Sequence, residues 1–240
     1  KKEFDFSARY GNIYTVRQLL QLFERSFGYF KPIEGYWKLP DGKFVDPLRP
    51  QIEPGGFPTI EALEADRATH LTAVKTMFHE VDVFVFTLGL TECWVSRLDG
   101  TAYPLAPGVA GGEYDSQKYA FINFEVNEII EDLKRFVDKL RLVNPGVRII
   151  LTVSPVPLVA SYEKKHVLVS TTYSKSVLRV AAETISRQVP GTCYFPSYEI
   201  ISGNYNRGKY FGGDLRSIRQ EGVDHVMSVF MRHMTDGGED

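Results

Sequence analysis

The 240 residues include 28 Lys and Arg against 30 Asp and Glu, a net charge of −2, and 43% are hydrophobic. That balance is ordinary for a globular protein and offers no basic surface to a nucleic-acid backbone. No apolar run approaches the ~20 residues of a membrane span, so neither nucleic acid nor a membrane span is expected as a partner. Two cysteines, Cys93 and Cys193, make neither a disulfide framework nor a metal motif. Both are expected in or just after strands as small buried hydrophobes, and a reducing, cytoplasmic setting fits them best.

In chain order, Thr15 and Gln18 form a capping-box pair that opens a helix. Val16, Leu19, Leu20, Phe23 and Phe27 recur at helical spacing, and Gly28 closes it. Residues 30–58 are rich in proline, and Pro40-Asp41-Gly42 is a turn signal between Tyr36–Leu39 and Lys43–Val45. This reads as a small hairpin insertion, a lid or wall over the sheet edge. Thr59 then caps a second helix running to about His79.

Val83–Phe86 is an unbroken run of β-branched and aromatic residues, suited to a strand buried on both faces. The stretch from Trp94 to Gln117, with Gly100, Gly108, Gly111 and Gly112, reads as a surface excursion; it lacks the Gly-Lys-Ser/Thr of a phosphate-binding loop. Asn123–Val143 predicts a long amphipathic helix stopped by Asn144-Pro145-Gly146. Val147–Val153 predicts a buried strand, Tyr173–Gln188 a helix capped by Thr172, Thr192–Phe195 a third strand and Ile218–Met234 a closing helix. Strand and helix thus alternate from residue 81, which predicts one three-layer α/β domain around a parallel sheet.

In such a sheet ligands bind outside the carboxyl ends of the strands. Those ends gather Gly89, Thr91 and Glu92, then Ser154, then Ser197, Tyr198 and Asp214, a plausible polar site. A strand followed by a turn with surface polar residues, and Asp214 as a plain cap of the closing helix, are the competing readings. Of the five histidines, His166 and His225 are retained as candidate bases. No two histidines stand at i, i+4 and no Cys/His cluster exists, so neither a metal nor another cofactor is expected.

Five collinear blocks go further: Phe6–Thr15, Thr87–Glu92, Thr152–Pro157, Thr171–Ser176 and Tyr194–Ile201. Together they look like the GSCFA family of bacterial proteins, which resembles the SGNH/GDSL hydrolase superfamily. The resemblance covers nearly the whole chain. It implies a flavodoxin-like sheet and ester chemistry through a serine nucleophile, with a small-molecule or glycan acyl ester as the partner. Gly11, beside Asn12, matches a glycine whose N–H would help form an oxyanion hole. Gly89 and Thr91 fall where the superfamily has Gly-x-Asn, with Thr91 in place of the asparagine. Asp214 matches the Asp of Asp-x-x-His, but Ser217 holds the histidine position.

The Gly-Ser-Cys-Phe-Ala motif that gives the family its name, and its expected nucleophile, is absent from this sequence. The chain is expected to begin after the strand that carries it. An absent central strand would leave apolar edges open, so an upstream segment or a second copy in a homo-oligomer is expected to complete the sheet. Two functions follow. One is a serine esterase or O-acyltransferase using an upstream nucleophile, with His166 or His225 as base. The other is a catalytically silent carbohydrate-binding or scaffolding domain, with Trp37, Trp94 and Tyr198 stacking on a sugar. Ser154 or Ser197 as a substitute nucleophile is a third possibility.

Overall fold

The computed structural model describes residues 8–235, so Phe6 and Ser7 of the first block lie outside the described residues. The chain divides into two compact units, one of residues up to Val83 together with Thr91–Val147, the other of Phe84–Leu90 together with Arg148 onward.

The first unit is built on three helices, α1 (Val16–Ser26), α2 (Ile60–Glu80) and α3 (Val126–Val143). The capping box at α1 is present: the Gln18 N–H donates to Thr15 Oγ1 at 3.3 Å, and the Thr15 N–H donates to Gln18 Oε1 at 3.0 Å. Phe23 then meets Phe78 of α2 at 5.1 Å and Phe136 of α3 at 6.2 Å between ring centroids. All three rings are buried, and each burial contributes roughly 2 kcal/mol. The predicted hairpin is also there, with β1 (Trp37–Lys38) antiparallel to β2 (Phe44–Val45).

The glycine-rich stretch is a surface excursion only in part, over residues 104–117; its first residues are strand. Trp94–Ser96 and Ala102–Tyr103 fall in an antiparallel sheet of β4 (Glu92–Ser96), β5 (Ala102–Tyr103) and β6 (Tyr119–Asn123), in the order β5-β4-β6. The physical reason is a small core of its own: Tyr103 and Tyr119 bury against Trp37 and Val45 of the hairpin. Gly100, at φ +73°, turns β4 back into β5. Tyr119–Asn123 is therefore strand, and α3 starts at Val126 behind Glu125, whose N–H donates to the Glu128 carboxylate at 2.8 Å.

The second unit holds a three-stranded parallel sheet of β3 (Val83–Leu88), β7 (Arg148–Val153) and β8 (Thr192–Tyr194), in the order β3-β7-β8. With the helices this makes a mixed α/β protein. β3 is not buried on both faces: Phe86 and Leu88 on one face are buried, whereas Val85 on the other is 48% exposed. The helices of this unit are α4 (Val167–Gln188), α5 (Ser197–Ser202) and α6 (Gln220–Met234). α4 begins before Thr172, because His166 Nδ1 accepts the Leu168 N–H at 3.2 Å and supplies the cap. α6 begins at Gln220, so Asp214 is not its cap. Cys93 is buried, and burial pushes its thiol up to about 12; Cys193, expected to be buried, is exposed.

Candidate functional site

The sequence-predicted residues fall in both units. Gly11, Asn12, Thr91 and Glu92 lie in the first; Gly89, Ser154, His166, Tyr198, Asp214 and His225 lie in the second.

In the first unit, Gly11 is dictated by backbone approach: a Cβ there would stand 2.8 Å from Arg49 Cα and 3.0 Å from the Leu48 carbonyl oxygen. The Asn12 side-chain amide donates to Gln51 Oε1. Gln51 in turn lines a cavity of about 810 Å³ with Lys38, Pro40, Pro54 and Glu113. Thr91 is fully buried and its hydroxyl donates to Asn123 Oδ1 at 2.7 Å, so its single proton is committed within the fold. Glu92 opens β4. Trp37, expected at a sugar-binding rim, is 1% exposed and serves as core beneath Gly112, where a Cβ would meet the indole at 2.9 Å.

In the second unit the carboxyl ends of the parallel strands come together. Gly89 directly follows β3 and Ser154 directly follows β7; the Ser154 N–H donates to the Leu88 carbonyl at 2.9 Å and holds those two ends side by side. Ser154 Oγ accepts the Val156 N–H at 3.3 Å, shaping the proline turn. After β8, Ser197 opens α5; its Oγ lies 2.5 Å from Thr152 Oγ1 and donates to the Val153 carbonyl at 3.1 Å. Both hydroxyls thereby lock α5 onto β7. Tyr198 is half-buried on α5, with its phenol pushed up by burial and then by Glu199.

One group was missed. Lys175 lies inside the Thr171–Ser176 block, yet nothing singled it out. It is 2% exposed, and Nζ donates to the Gly89 carbonyl at 2.8 Å. Its burial shows only in the folded α4. Ser170, Ser174, Leu178, Ala182 and Ile185 recur at helical spacing as its buried face, and Lys175 falls beside that stripe. The face is polar at its N-terminal end, and the Ser170 hydroxyl is buried without a hydrogen-bond partner among the described residues.

Backbone donors complete the picture. The N–H groups of Gly89 and Leu90 have no acceptor among the described residues. Two consecutive open N–H groups at the end of a strand are suited to an anion or an oxyanion. The candidate bases are differently placed. His166 is spent as the α4 cap, and His225 Nδ1 stands 2.6 Å from the Tyr210 hydroxyl. Asp214 accepts from its own turn: the N–H groups of Arg216 and Ser217, and the Ser217 hydroxyl. Among the described residues no group of three His, Cys, Asp or Glu side chains is gathered to hold a metal ion, and no helix is long and apolar enough to cross a membrane.

Compared with known protein families, residues 1–230 match the model of the GSCFA family. No curated protein matches the chain.

Proposed function

Because this chain belongs to the GSCFA family, we propose that it is the α/β body of a serine esterase or O-acyltransferase of SGNH type, acting on the acyl ester of a small molecule or glycan. The observation that carries the reading is the open pair of N–H groups at Gly89 and Leu90, beside Ser154 at the carboxyl edge of a parallel sheet. Attack of a hydroxyl on an ester carbonyl places negative charge on the carbonyl oxygen, and donors aimed at that oxygen lower the barrier. Removing one such donor typically costs ~10²–10³ in rate. Flavodoxin-like layering of the whole chain belongs to the same proposal.

A second reading, a silent carbohydrate-binding or scaffolding domain, has a specific observation in its favour. Ser217 occupies the histidine position, and the Asp214 carboxylate is bound to it rather than to an imidazole. The sugar-stacking form of that reading has lost Trp37 to the core.

The deciding experiment treats the full natural gene product with p-nitrophenyl acetate and with a serine-directed fluorophosphonate. Turnover together with covalent labelling supports the acyl-transfer reading. Absence of both, with retained glycan binding by calorimetry, replaces it with the second.

A further inference from the structure

A lysine sealed from water without an anion is expensive, since burial disfavours the charged form. Lys175 is such a residue. Burial alone draws its ammonium down to about 8, and among the described residues no charged side chain offsets that. Its Nζ donates to the Gly89 carbonyl, 86 residues away in the chain. Ser170 and Ser174 are, like Lys175, among the buried residues of α4, on the stripe beside it.

What that bond holds is the peptide unit between Gly89 and Leu90. A trans peptide points its C=O and N–H in opposite directions. Pinning the carbonyl to Lys175 therefore turns the Leu90 N–H away from the ammonium, and that N–H meets no acceptor among the described residues. Glycine at 89 brings wide backbone freedom, so without an anchor this peptide would sample several orientations. The ammonium also draws electron density through the conjugated amide, which strengthens the N–H on its far side as a donor.

We propose that Lys175 is a positioning residue, which orients and polarises the Gly89–Leu90 peptide so that its N–H serves as an oxyanion donor. The inference rests on the acyl-transfer reading above for its catalytic meaning, but the anchoring itself can be measured without turnover.

The test compares the full natural product with its Lys175→Met variant, which keeps the length of the side chain and removes the charge. In the first measurement, the ¹H–¹⁵N resonance of Leu90 is followed with pH. It is expected to titrate in the parent protein with a midpoint near that of the lysine, and to lose that titration in the variant. In the second, kcat for p-nitrophenyl acetate is expected to fall roughly tenfold or more, with KM changed less than about twofold. An unchanged Leu90 titration, or an unchanged kcat, overturns the proposal and leaves the ester reading standing. A Leu90 resonance that titrates in the parent and not in the variant, in a protein that turns over no ester, removes the ester reading and leaves the anchoring role intact. Melting temperature controls for folding, because removing a buried charge should not lower it.

Discussion

Ser217 Oγ donates to Asp214 Oδ2 at 2.5 Å, closing a turn of four residues on itself. Asp214 Oδ1 accepts the N–H groups of Arg216 at 3.0 Å and Ser217 at 2.9 Å. The Asp214 carboxylate thus orients its own turn. The Ser217 hydroxyl first, then the two N–H donors, hold its carboxyl down at about 2.

Replacing Ser217 with alanine should therefore raise the Asp214 carboxyl toward the ordinary ~3.9 without reaching it, since two backbone donors remain. Carboxyl ¹³C chemical shifts followed between pH 1.5 and 6 would report it. A midpoint that does not move would mean that the backbone donors alone set the value.

Lys175 makes the opposite kind of prediction, one in which removing a polar contact stabilises. Its folded value near 8 lies below the unfolded value of 10.5. Between these values the unfolded chain holds a proton that the folded chain has released. The stability of the parent protein therefore rises as pH climbs through that window, and the penalty is fully present below it. Lys175→Met should be more stable than the parent at pH 7 by on the order of 2 kcal/mol, with the gap closing by pH ~10. Urea midpoints at three pH values would test this. A variant less stable at pH 7 would show that the bond to Gly89 outweighs the cost of burial.

His70 gives acid sensitivity with the same direction of shift. Its Nδ1 stands 2.5 Å from the Ala8 carbonyl oxygen, so that nitrogen carries the proton of the neutral ring. Burial first, then Arg49, pull the imidazole from 6.5 down to about 4. The unfolded state binds the extra proton between those values, so stability falls as pH drops through 6.5 and levels off below about 4. The loss should be roughly 3 kcal/mol, and His70→Asn should remove most of it. Equal acid sensitivity in parent and variant would place its source elsewhere, in the carboxylates.

How much of this was legible depended on whether the signal was local. The Thr15–Gln18 capping box, the Thr59 cap and the Pro40-Asp41-Gly42 turn each act within a few residues, and each element stands where the pattern put it. β4, β5 and β6 were illegible because their strands are short and their burial comes from Trp37 and Val45, some fifty to eighty positions away in the chain. The α4 cap was misplaced because Thr172 is a common cap and His166, whose Nδ1 accepts the Leu168 N–H, an uncommon one. At the candidate site, Gly89 and Ser154 were read from strand ends alone. Lys175 was not, since a lysine on a helix is ordinarily solvated and only tertiary packing buries this one.

The same contrast between local pattern and distant compensation governs Asp46. Its side chain is 1% exposed and Oδ2 lies 3.1 Å from both Arg49 Nη2 and Arg67 Nε. Arg49 Nη2 also reaches Asp66 at 2.7 Å. Burial pushes the Asp46 carboxyl up, but Arg67, Arg25 and Arg49 together outweigh that and leave it below the ordinary range. One anion thus answers to three guanidinium groups, and losing it leaves Arg49 with Asp66 and takes from Arg67 and Arg25 the carboxylate that offsets them. Asp46→Asn keeps the shape and the acceptor for the Leu48 N–H, which donates to Oδ1 at 3.0 Å, while removing the charge. The variant should lose about 3 kcal/mol or more, because breaking a buried pair leaves an uncompensated charge. Adding Arg49→Met to it should cost less than the sum of the two single changes, since Arg49 is one of the three groups that Asp46 answers to. Urea unfolding of the four proteins in that cycle would measure the coupling. A coupling near zero would mean that the guanidinium groups are satisfied independently of Asp46.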